Sequence, residues 1–125
     1  RWSQNVDDAA NDPIVGYDNL MYTLHFYAGT HKEWLRQKGD YAISKGLALF
    51  VTECGGMNAD GQGPVDVESS KAWIEWMDDN DISYLFWSIS DKKETCSMLY
   101  PSAVSEGPWA DTDLSPWGAF VKDNL

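Results

Sequence analysis

The spacing of apolar residues changes several times along this chain, and each change marks an element. Leu20 to Tyr27 is rich in β-formers, with Tyr22, Thr23, Phe26 and Tyr27, and reads as a strand. Ala28-Gly29-Thr30-His31 turns the chain. From about His31 to Lys45, Trp34, Leu35, Tyr41, Ala42 and Ile43 recur at helical spacing, with Thr30 as N-cap and Glu33 in the capping-box position. Lys45-Gly46 ends that helix. The cycle then repeats, with a strand over 47–53, a glycine-rich loop from Gly55 to Pro64, and a helix from Val67 to Asn80. A third strand, Ile82 to Ser88, leads into a long loop through Pro101, Gly107 and Pro108. Ser115-Pro116 supplies an N-cap and a first-turn proline for a last helix to about Asn124. The stretch before Leu20 is polar and rich in turn residues, which suits a short helical turn or loop. Trp34, Trp73 and Trp76 are expected in the core, with Trp117 under the last helix.

Strand, helix, strand, helix, strand, loop, helix implies an α/β fold with parallel strands. Such a unit is either a small open sheet or a slice of a closed barrel. No glycine-rich turn joins a strand to a helix in the dinucleotide-binding pattern. Polar and aromatic groups at every strand C-terminus favour the barrel.

Composition narrows the partners. With 125 residues, 43% apolar and 14% aromatic, the chain can build a core and is not disordered. Twenty Asp and Glu against nine Lys and Arg give a formal charge of −11, which disfavours nucleic acid and anionic membrane surfaces. A neutral ligand is expected. No window has the apolar length of a membrane span, and no basic-then-apolar leader opens the chain. Beginning at Arg1-Trp2-Ser3 without Met, the chain reads as a processed or cut product. Cys54 and Cys96 lack metal-ligand spacing, so no metal is expected; one disulfide in an oxidising compartment and two free thiols both fit.

The candidate chemistry lies at the strand ends. Glu53 closes the second apolar run and is followed at once by Cys54-Gly55-Gly56, so a rigidly held carboxylate opens onto backbone that a ligand can approach. The first strand ends in His25-Phe26-Tyr27 and the third in Phe86-Trp87-Ser88. Taken alone, a histidine on an apolar strand is more often a satisfied core residue, and a lone strand-end Glu a solvated acid. His31 reads as a helix-start residue; Asp60, Asp66 and Glu68 read as a solvated loop and helix start.

Tyr22-Thr23-Leu24-His25-Phe26-Tyr27-Ala28-Gly29-Thr30-His31, Phe50-Val51-Thr52-Glu53-Cys54-Gly55, and Phe86-Trp87-Ser88 with Asp91-Lys92-Lys93-Glu94 occur in this order. Together they resemble the last part of a glycoside hydrolase family 5 endoglucanase of the bacterial cellulase type. The likeness runs from Trp2-Ser3-Gln4 to the final helix near Phe120. It implies that residues 1–125 are a partial catalytic domain, about strands six to eight of a (β/α)8 barrel with their helices, and no separate binding module.

The implied activity of the complete protein is retaining hydrolysis of cellulose or a related β-glucan, without a cofactor, in a secreted bacterial enzyme. Glu53 matches the family's nucleophile. His25 and Tyr27 match its strand-six pair, the Tyr donating to the nucleophile and the His lining the reacting-sugar subsite. Trp87 matches an aromatic sugar platform, Lys92 and Glu94 match residues that bind sugar hydroxyls, and Trp2 matches a cleft-lining Trp. Cys54 departs from the Trp that many relatives carry after the nucleophile. The family's acid/base Glu lies in an Asn-Glu-Pro motif, and this sequence contains no Asn-Glu dipeptide. Retaining hydrolysis needs two carboxyl groups about 5–5.5 Å apart. The chain alone is therefore expected to be inactive. Its expected partners are a cello-oligosaccharide and either the missing N-terminal barrel half or a second copy. The competing readings are a non-catalytic carbohydrate-binding piece and a self-associating half-barrel.

Overall fold

Side-chain alternation along the strands divides this molecule into two sides. The computed structural model describes residues 1–125. Its sheet has β1 (Tyr22–Tyr27), β2 (Leu49–Gly55) and β3 (Tyr84–Phe86), all parallel and in that order. Four helices accompany them: α1 (Val6–Asn11), α2 (Glu33–Ser44), α3 (Val67–Asp79) and α4 (Pro116–Asp123). Leu24, Phe26, Leu49 and Val51 are buried in one core with Leu35 and Ala42 of α2 and Trp73 and Met77 of α3. The intervening Thr23, His25, Phe50 and Thr52 stay partly or fully exposed. One sheet face is thus covered by helices and the other is open.

Trp73 is the anchor of the covered side. It is fully buried, lies flat on Phe26 with ring centroids 3.9 Å apart, and meets Trp76 edge-on. Its indole N–H donates to the His31 carbonyl at 2.8 Å, so the only polar atom of the side chain is satisfied. A second cluster, containing Met57, Cys96, Met98, Trp117, Phe120 and Val121, fastens α4 and the loop after β3. Trp117 is buried there as expected, stacking on Phe120 and donating from Nε1 to the Trp87 carbonyl at 2.7 Å.

Helix ends follow the local chemistry. After α2, Gly46 adopts φ +86°, and the N–H groups of Gly46 and Leu47 bond to the carbonyls of Ile43 and Ala42, which is a Schellman closure. Asp66 caps α3 by accepting from the Ser69 N–H at 3.0 Å, and it pairs with Lys32 at 2.6 Å. That pair lowers the Asp66 pKa. Ser115 caps α4 by accepting from the Gly118 N–H at 3.1 Å, with Pro116 opening the first turn.

Several expectations are corrected. Thr30 does not cap α2; its hydroxyl accepts from the Ala59 N–H at 2.9 Å, and the helix begins at Glu33 with no side-chain cap. Trp34 is not core, being 47% exposed. The buried line of α2 runs through Leu35, Gly39 and Ala42, which turns Trp34 and Tyr41 outward. Trp76 is half-buried at the margin of the core. β2 continues two residues past Glu53, and β3 is only three residues long. Of the two states that fit the cysteine count, the structure has the free thiols, both buried. No helix is long and apolar enough to cross a membrane.

Candidate active site

The carboxylate of Glu53 is positioned by an irregularity in β2. Thr23 pairs with Phe50 and His25 with Glu53, so β1 advances two residues while β2 advances three. The pairing with β3 shows the same extra residue between Val51 and Cys54. A bulge of this kind re-aims side chains that a regular strand would send to opposite faces. Consecutive residues Thr52 and Glu53 accordingly both reach His25. Thr52 Oγ1 lies 2.8 Å from its Nε2, and Glu53 Oε2 lies 3.8 Å from its Nδ1.

The other carboxylate oxygen is held by Tyr27. Its hydroxyl donates to Glu53 Oε1 at 2.8 Å. Burial, followed by that bond and the nearby charge of Glu53, holds the phenol pKa well above its usual value, so the group remains a donor. Gly55 makes this placement sterically feasible. A Cβ there would lie 2.7 Å from Tyr27 Cε1 and 2.8 Å from Met57 Sδ.

Glu53, Tyr27, His25 and Trp2 line one cavity of about 560 Å³, four of the seven residues expected at the site. Ser3, Gln4, His31 and Ala59 complete it. Trp2 and Ser3 adopt φ 56° and 51°, a left-handed turn that swings the first residues over β1, where the Ser3 carbonyl accepts the His25 N–H at 3.0 Å. The sequence signal that could have drawn attention to Ser3 and Gln4 is their adjacency to Trp2. His31 is buried, contrary to a plain helix-start role. Its Nδ1 accepts the Tyr27 N–H at 2.8 Å and its Nε2 lies 3.1 Å from the Gln4 amide. Burial lowers its pKa, with the Tyr27 backbone acting weakly in the opposite direction.

Trp87, Lys92 and Glu94 lie outside this cavity. Trp87 nevertheless adjoins the end of β2, because its N–H donates to the Cys54 carbonyl at 2.8 Å; the residue is 45% exposed, and its peptide bond to Ser88 is cis. Lys92 and Glu94 face each other at 4.0 Å in the following loop. Behind Glu53, the Cys54 thiol donates to the Leu85 carbonyl at 3.4 Å. Burial and the neighbouring Glu53 charge raise its pKa, which makes it a packing residue and a poor nucleophile. Burial, then Glu94, pushes Cys96 up to about 11. No group of three or more His, Cys, Asp or Glu side chains gathers in a way that could hold a metal.

The geometry offers one carboxylate, oriented by a phenol and faced by an imidazole, beside an open cavity. The sequence matches the family model described as Cellulase (glycosyl hydrolase family 5) over residues 1–93. It is 45% identical to an endoglucanase of Clostridium saccharobutylicum across 99% of this chain and 28% of that protein. A solved structure from Cytophaga hutchinsonii is 49% identical with a TM-score of 0.95, covering 99% of this chain and 40% of the other. The catalytic domain of a Thermobifida fusca endoglucanase, solved with cellotetraose, is 29% identical with a TM-score of 0.84, over 93% of this chain and 38% of that one. The chain spans about a quarter of the length of the curated relatives it matches.

Proposed function

The chain belongs to glycosyl hydrolase family 5, and on that premise we propose that the complete protein is a retaining endo-β-1,4-glucanase acting on cellulose or a related β-glucan. Its sheet is the part of the (β/α)8 barrel comprising about strands six to eight. The observation that carries the reading is the Glu53 carboxylate near the C-terminal end of β2, with one oxygen held by the Tyr27 hydroxyl at 2.8 Å and the other directed toward His25. In the proposed mechanism, Glu53 attacks the anomeric carbon while a carboxylic acid from the rest of the barrel protonates the departing oxygen. Water then releases the sugar from Glu53, with that same group acting as base. Tyr27 steadies the carboxylate and His25 borders the reacting sugar. Trp87 supplies a flat surface for a neighbouring glucose, Lys92 and Glu94 bind its hydroxyls, and Trp2 lines the cleft.

The cavity contains no second carboxylate, so this chain by itself should be inactive. Its open sheet face and unpaired strand edges should be covered in solution by the missing barrel half or by a second copy. Secretion from a bacterium completes the proposal. The decisive test is the stereochemistry of cello-oligosaccharide hydrolysis by the complete enzyme, followed by proton NMR. The β anomer should appear first; initial release of the α anomer contradicts double displacement. Light scattering and a reducing-sugar assay on the 125-residue chain test the second part, where a stable monomer that hydrolyses cellulose would overturn it.

A further inference from the structure

We propose that Thr52 is a positioning residue, which with Thr23 sets the tautomer and ring orientation of His25 and thereby directs the imidazole Nδ1–H toward Glu53. The inference rests on the reading of Glu53 as nucleophile. The Thr52 hydroxyl is hydrogen-bonded to the Thr23 hydroxyl on one side and lies 2.8 Å from His25 Nε2 on the other. His25 Nδ1 faces Glu53 Oε2 at 3.8 Å, while Glu53 Oε1 is occupied by Tyr27. A carboxylate only accepts, and a neutral imidazole donates from one nitrogen and accepts at the other. Placing the proton on Nδ1 turns an N–H toward the carboxylate; placing it on Nε2 would turn a lone pair there.

With Nδ1 protonated, Nε2 must accept, and the donor within reach is the Thr52 O–H. Thr52 has a single proton, so its oxygen then accepts from Thr23. The bonds form a directional chain from Thr23 to Thr52 to His25. The bulge makes this chain achievable, because it is what allows Thr52 and Glu53 to approach the same ring from adjacent positions. Valine has nearly the same shape as threonine and cannot donate. Thr52→Val leaves Nε2 without its donor, which favours proton transfer to Nε2 or rotation of the ring, and either change removes the N–H that faces the Glu53 carboxylate.

The experiment uses the complete enzyme. In ¹⁵N spectra the His25 ring, identified by its absence in His25→Asn, should carry its proton on Nδ1; a proton on Nε2 overturns the proposal without any Thr52 variant. Thr52→Val should lower kcat about tenfold with little change in KM, and Thr52→Ser should restore most of the loss. In a His25→Asn background, Thr52→Val should cost nothing further, because its effect passes through the ring. A Thr52→Val enzyme as active as wild type, or an equal loss in both backgrounds, overturns the proposal. If Thr52→Val does not fold, Thr23→Val and the wild-type tautomer decide. Glu53→Gln separates the two readings: if it retains hydrolysis, the nucleophile assignment fails, whereas if it is inactive and Thr52→Val is unaffected, only the positioning role fails.

Discussion

The two faces of the same three strands differ in what they are built for. Toward the helices, Leu24, Phe26, Leu49 and Val51 close a core in which every large side chain finds neighbours within this chain. On the other face, Thr23, His25, Thr52 and Glu53 are joined mainly to one another by hydrogen bonds, and Leu85 and Trp87 are 55% and 45% exposed. Alternation along β1 sends Leu24 and Phe26 into the core and Thr23 and His25 to the open face, and the bulge in β2 adds the adjacent Thr52 and Glu53 to that open face. Stability and reactivity should therefore be separable by substitution here, even between adjacent residues.

The largest expected effect breaks the reactive face alone. In the complete enzyme, Glu53→Gln should remove nearly all hydrolysis, by several orders of magnitude, while cello-oligosaccharide binding stays within a few-fold. Retention of about a tenth of the rate would reject the assignment. On the covered face, Trp73→Ala should cost about 3–5 kcal/mol of stability, through lost contacts with Phe26 and Trp76 and the unpaired His31 carbonyl. Denaturant unfolding measures it, and a loss below about 1 kcal/mol would mean that the core is less dependent on this ring than its burial implies.

Trp87→Ala should cost about 2–4 kcal/mol in kcat/KM with little loss of stability, since the ring is half-exposed while its backbone is held by Cys54 and Trp117. Unchanged kcat/KM would make the ring packing only. The smallest effect joins the faces. His31 is buried against the cavity with its pKa lowered below the ordinary 6.5. The unfolded chain therefore binds a proton first, so its contribution is present above about pH 6.5 and is lost as pH falls through the folded value. Melting curves should show a smaller acid-side decline in His31→Asn, which keeps an acceptor for the Tyr27 N–H.

Much of the covered face was legible in the residues. Gly46 had to take a left-handed turn, Ser115-Pro116 had to start a helix, and Trp73 had to face inward, because each follows from local backbone preference or periodicity. Glu53, His25, Tyr27 and Trp2 were legible as members of one site through the spaced motifs, and they do share a cavity. The bulge at Thr52 was not, since no glycine or proline marks it and it arises from pairing with strands far away in sequence. Thr30 misled because a hydroxyl suited to a cap was taken by the Ala59 N–H, a tertiary contact. Trp34 misled because periodicity over 31–45 admits two adjacent faces, and the small Gly39 against Trp76 selects the one centred on Leu35.

On this reading Glu53 itself forms the bond to the sugar. Incubating the complete enzyme with an activated 2-deoxy-2-fluoro-β-cellobioside should trap the intermediate, because the fluorine slows both its formation and its hydrolysis while the activated leaving group restores the rate of formation alone. Peptide mass spectrometry should then locate the added 2-deoxy-2-fluorocellobiosyl mass on Glu53, and in Glu53→Gln the label should be absent. A label on any other residue, or inactivation of the enzyme with Glu53 unmodified, would contradict the account.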